Sequence, residues 1–159
     1  MMRFLKFALI TAAVGSAIPA HSQTLHLVCL GAGSGNRAFQ TFGSAQNNAG
    51  GSAWGQSVGT RPVPFDDQVN IEIGEDGTGR VRMPRMMLPG LRGGKDGWFE
   101  IKKVEINDDE IKGVVQVNIL NSPKLHLDRI QGRVSINGKS GSYSGQCQPY
   151  DPNSVKRQF

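Results

Sequence analysis

The chain has 159 residues, 18 basic and 13 acidic, for a formal net charge of +5. That length supplies one domain with a single core. So mild a positive balance does not by itself imply a nucleic-acid partner, and none is expected.

Residues 1–22 carry the three-part pattern of a secretory signal peptide. Arg3 and Lys6 form the positive region, Phe7 to Ile18 the apolar run, and Ala20 and Ser22 place small residues at the cleavage site. The run falls short of the roughly 20 apolar residues of a membrane-spanning helix, so no transmembrane segment is expected. The expected location is periplasmic or secreted. In such an oxidising compartment, Cys29 and Cys147 read as a disulfide rather than as metal ligands. Only His26 and His126 lie beyond the signal peptide, and neither stands at ligand spacing from a cysteine. No metal and no cofactor is expected.

The first strand is expected over Thr24–Leu30, with Leu25, Leu27 and Cys29 on one face. It runs into Gly31, Gly33 and Gly35, which resembles the opening of a dinucleotide-binding loop. The third glycine of G-x-G-x-x-G is replaced by Asn36, and at most two helical turns fit before Gly43. Without a βαβ unit or a Gly-Lys-Ser/Thr sequence, no nucleotide is expected. Residues 31–64 are rich in Gly, Ser, Asn, Gln and Ala, with Phe39, Phe42 and Trp54 as islands, and read as a long loop.

From residue 65 onward the apolar period is two, the mark of strands with one buried face. Val69, Ile71 and Ile73 alternate with Gln68, Asn70 and Glu72. Val81 and Met83 alternate with Arg80 and Arg82, and Ile111, Val115, Val117 and Ile119 share a face. Asp76-Gly77 and Asn137-Gly138 suit two-residue hairpin turns. Asn107 to Asp109 and Asn121 to Pro123 also read as turns. The phase flips near Lys102-Lys103 and near Asp128-Arg129, which predicts a β-bulge at each. The last strand is expected over Ser140–Gln148, with Cys147 facing inward beside Tyr143 and Gly145. Residues 149–159 read as a polar tail.

These elements predict an all-β domain over residues 23–148. It is an antiparallel meander barrel or sandwich of about seven or eight strands, its first and last strands joined by Cys29–Cys147.

Acid–base chemistry is sparse. No G-x-S-x-G or H-E-x-x-H occurs. Asp108, Asp109 and Glu110 lack the spacing of a calcium loop. The distinctive chemistry lies around "RMPRMMLPGLRGGKDG", residues 82–97, where Arg80, Arg82, Arg85 and Arg92 surround a Met-rich segment that ends near Trp98. Guanidinium groups pair bidentately with phosphates and carboxylates. The expectation is a non-catalytic binding module of the envelope or exterior, with Arg80, Arg82, Arg85, Arg92 and Trp98 as ligand contacts for an anionic envelope component or protein. The alternatives are a hydrolase-like site at His126 and Asp128, or an inhibitor of a secreted hydrolase.

Overall fold

The computed structural model describes residues 24–154. The signal-peptide expectation for residues 1–22 lies outside these residues. No helix among them is long and apolar enough to cross a membrane.

Eight antiparallel strands follow one another in chain order and close into a ring. They are β1 (Leu25–Gln46), β2 (Ser52–Ile73), β3 (Gly79–Arg82), β4 (Trp98–Ile106), β5 (Glu110–Val115), β6 (Lys124–Asp128), β7 (Arg133–Gly138) and β8 (Gly141–Pro149). β1 pairs with β2 on one side and with β8 on the other, which shuts the barrel. The alternating residues do what their period requires. Val69, Ile71, Ile73, Val81, Phe99, Ile101, Ile111, Val115, Leu125, Leu127, Val134 and Ile136 all point inward and fill the interior.

Closure depends on side chains that are missing as much as on those present. A Cβ on Gly31, Gly33 or Gly35 would collide with the backbone of Ser144, Ser142 or Met86, respectively. The glycines that mimic a phosphate loop are therefore strand residues, which let β1 lie tight against β8 and the loop after β3. Beside them Tyr143 is buried and stacks on Phe65, with ring centroids 6.4 Å apart. Its hydroxyl donates between the carbonyl oxygens of Cys29 and Asp67, at 3.0 and 3.1 Å. Burial pushes the Tyr143 phenol up to about 12. The Cys29–Cys147 disulfide links directly opposed residues of β1 and β8, 118 positions apart in sequence.

The bulge expected at Lys102-Lys103 is present. The β4–β5 register shifts between Lys102 and Glu105, and Lys103 adopts φ 52°. The second phase flip has another cause. β6 stops at Asp128, and residues 129–132 form the turn into β7 with Ile130 exposed. The hairpin after β2 is also longer than expected. Gly74 N–H donates to Thr78 O, Gly77 N–H donates to Gly74 O, and only Gly77 takes positive φ. Asn137-Gly138 is not the turn itself. Both residues pair with β8, and Lys139-Ser140 makes the reversal. Ile119, expected inside, is exposed because β5 ends at Val115. Pro149, assigned to the tail, closes β8, and Tyr150 N–H extends the ladder to His26 O at 3.0 Å.

The largest correction concerns residues 31–64. They are not a loop: β1 and β2 are 22 residues each, and their ladder runs without a break from Leu25–Ile73 to Gln46–Ser52. β8 accompanies β1 only as far as Gly35. Beyond that point the hairpin leaves the barrel as a two-stranded arm of about 35 Å. The arm lacks the alternation of the other strands because neither of its faces meets a core. Its order comes from the ladder and from local contacts. Phe39 lies across Gly59 with the Arg61 guanidinium over its ring, and the Thr41 and Ser57 hydroxyls are 3.1 Å apart. At the tip, the Asn47 side chain accepts from the N–H groups of Ala49 and Gly51.

Candidate binding surface

The Met-rich connection after β3 folds over the end of the barrel from which the arm leaves. Met83, Pro84, Met87 and Leu88 are buried there, and Arg85–Met87 form one turn of 3-10 helix. With the apolar side chains facing in, the arginines between them face out. Arg82, Arg85 and Arg92 line one hollow of about 670 Å³, with Met83 and Leu88 on its apolar wall. Gly93, Gly94 and Gly97 form its rim, and Asp96 is the one carboxylate in the lining. Gly94 and Gly97 both take positive φ, as the tight backbone there requires. Arg92 is steadied by a hydrogen bond from Nη1 to Pro89 O at 3.2 Å.

The other two expected contacts belong to a neighbouring hollow on the far side of Gly93-Gly94, lined by Arg80, Trp98 and exposed Ile119. Arg80 is committed within the fold. It forms an ion pair with Glu72 on the adjacent strand, and its guanidinium lies 4.7 Å from the Trp98 ring centroid. The hydrogen bond to Glu72 holds Arg80 above its ordinary value. Three of the five expected ligand contacts therefore converge on one hollow. Arg80 and Trp98 brace its flank.

The two residues of the hydrolase-like alternative are each engaged with other partners. His126 and Asp128 both sit on the outer side of β6, alternating with buried Leu125 and Leu127. His126 Nε2 lies 2.9 Å from Glu110 Oε2 across the β5–β6 ladder. Hydrogen bonds from Lys112 first and His126 second hold the Glu110 carboxyl below its ordinary value. Asp128 accepts from the N–H groups of Ile130 and Gln131 at 2.9 and 2.8 Å, closing the turn after β6. Neither residue lines a hollow described here.

Two further features escaped the reading of the sequence. At the opposite end of the barrel, Leu25, His26, Ile73, Arg129 and Tyr150 surround a hollow of about 380 Å³. His26 Nδ1 is buried there without a hydrogen-bond partner, 3.8 Å from Glu72 Oε1. The other is on the arm. Phe42, Trp54 and Val58 lie on one face as diagonal neighbours across the ladder, and they are 73, 82 and 66% exposed. The signal for it was parity. All three positions are even-numbered, and in a hairpin turning at residues 47–51 even pairs with even.

Compared with protein families, with curated proteins and with solved structures, the chain matches none.

Proposed function

We propose that the protein is a non-catalytic binding module, exported to the periplasm or the exterior, which holds an anionic group in the arginine hollow. One observation carries this reading. Arg82, Arg85 and Arg92, dispersed in sequence, line a single concavity with one carboxylate among them. A site of that kind attracts phosphate or carboxylate through paired guanidinium donors. The apolar wall of Met83 and Leu88 accommodates the less polar part of the same ligand, as on an envelope lipid or an acidic protein segment. The Cys29–Cys147 disulfide suits an oxidising compartment.

The test is retention on vesicles carrying anionic phospholipid or lipopolysaccharide, against neutral vesicles as control. Retention should weaken as salt rises. The Arg82→Ala/Arg85→Ala/Arg92→Ala variant should lose about tenfold or more in affinity. Its thermal midpoint should stay near that of the parent, because these side chains lie outside the packed core. Equal retention of variant and parent would sink the proposal.

A further inference from the structure

We infer that the arm is a self-association element, pairing along its β2 edge with the arm of a second copy of this chain. The inference stands apart from the arginine hollow and rests on how the arm's edges are defended.

An open strand edge is a template for another strand, and soluble proteins guard such edges with charge and proline. Asn36 directs its N–H to Ser140 O, on the β8 side of β1, so the Asn36–Pro62 pair turns its backbone groups away from each other. Alternation along the ladder then turns every even-numbered β2 residue from Ser52 to Pro64 toward the open edge. Pro62 and Pro64 occupy two of those outward positions and carry no N–H. Arg61 directly precedes them, and its opposite number is Arg37. The root of the arm is thus guarded twice. Further out the guard stops: from Ala38 to Thr60 there is no Asp, Glu, Lys, Arg, His or Pro. The outward N–H and C=O groups of Ser52, Trp54, Gln56, Val58 and Thr60 stand undefended.

The occupant follows from that composition. A charged partner finds no counter-charge on this edge, whereas a second copy brings an equally uncharged edge and no repulsion. The edge is also complementary to itself. When two β2 segments run antiparallel about Gln56, each Trp54 stands opposite Val58 of the other copy and each Ser52 opposite Thr60. A two-fold axis normal to the ribbon keeps both Phe42, Trp54 and Val58 clusters on one face of the resulting four-stranded sheet. β2 has room for this pairing, because β3 accompanies it only from Asn70 to Ile73. β1 offers a shorter free edge, because β8 and the Lys139-Ser140 turn lie alongside it as far as Asn36.

Sedimentation velocity on the mature, oxidised chain tests the inference. A two-copy species is expected at micromolar concentration. Gln56→Pro, which removes an outward N–H, and Trp54→Ser should each raise its dissociation constant about tenfold or more, with the thermal midpoint of the barrel unchanged. Gln56→Cys should cross-link to its counterpart under mild oxidation, whereas Gln40→Cys on β1 should not. A chain that stays monomeric, a species larger than two copies, a dimer indifferent to both substitutions, or cross-linking at position 40 instead of 56 would each overturn it.

Discussion

β1 is one strand in two environments, and its halves obey different rules. From Leu25 to Gly35 it has a neighbour on each side and a core beneath it. From Ala38 to Gln46 it has only β2, with solvent elsewhere. Glycine serves both halves for opposite reasons. At Gly31, Gly33 and Gly35 a side chain would strike the opposing backbone, whereas at Gly43 and Gly55 a Cβ would meet nothing within 4 Å. The barrel half uses glycine to bring two backbones together; the arm half has space that nothing in the chain fills. Apolar alternation is therefore a record of one-sided burial, and a strand that buries neither face does not show it.

The sharpest break in that comparison is at the disulfide. Replacing Cys29 and Cys147 with alanine frees a loop of 118 residues and should cost about 4–5 kcal/mol in the chain-entropy picture. Urea denaturation should show the midpoint falling accordingly, while chymotryptic cleavage at Phe42 and Trp54 in the arm stays at the parent rate. A loss below about 1 kcal/mol would mean that the β1–β8 seam holds without the cross-link. The next effect is at Gly31. Gly31→Val should cost about 3 kcal/mol or more by driving β1 off Ser144, whereas Gly43→Val, the same change in the arm, should stay within about 0.5 kcal/mol. Similar losses at both sites would erase the distinction between the two halves.

Tyr143 reports on the seam more gently. Tyr143→Phe keeps the stacking on Phe65 but deprives the Cys29 and Asp67 carbonyls of their shared donor, for a loss of about 1–2 kcal/mol. The pH dependence has a definite sign. Burial raises the folded-state value to about 12, above the ordinary tyrosine value of 10.0. The advantage of the neutral phenol is therefore fully present below pH 10 and declines as pH rises through 12. The gap in stability between parent and variant should be constant from neutral pH to about 10 and then close. A gap that persists unchanged to pH 12 would show that the phenol titrates as freely as in the unfolded chain.

Much of the barrel was legible because its core writes alternation into β2 to β8, and two cysteines leave one intramolecular pairing. The signs that misled are specific. A phase flip marks a bulge at Lys103 but a turn at Ile130, and from sequence the two look alike, since each moves one residue out of step. Asn137-Gly138 is a good turn dipeptide overruled by its strand: Val134 and Ile136 are buried, and the ladder continues to the Gly138–Gly141 pair. The arginine cluster was visible as composition, but its division was not. Arg80 belongs to Glu72 and Trp98 only once the register places them on adjacent strands. The arm was hidden because its ladder is a backbone structure, and Gly, Ser, Asn and Gln say little about backbone pairing.

The smallest expected effect tests whether the two halves of β1 are independent. Arg37 and Arg61 face each other at the root of the arm. Replacing residues 38–60 by Asn-Gly sets a two-residue turn directly between them, in the hairpin geometry that this dipeptide favours. Every buried core side chain lies outside the excised segment, and Phe39 packs on Gly59 within it. The contacts of the root, Asn36 N–H to Ser140 O and Arg37 to Met86, are kept. The shortened chain should fold with a stability within about 0.5 kcal/mol of the parent, measured by urea unfolding at a concentration where both are monomeric. Its vesicle retention through Arg82, Arg85 and Arg92 should be unchanged, and its self-association lost. A barrel destabilised by more than about 1 kcal/mol would show that the arm braces the Met-rich connection after β3 through Met86, so that β1 acts as one cooperative strand rather than two.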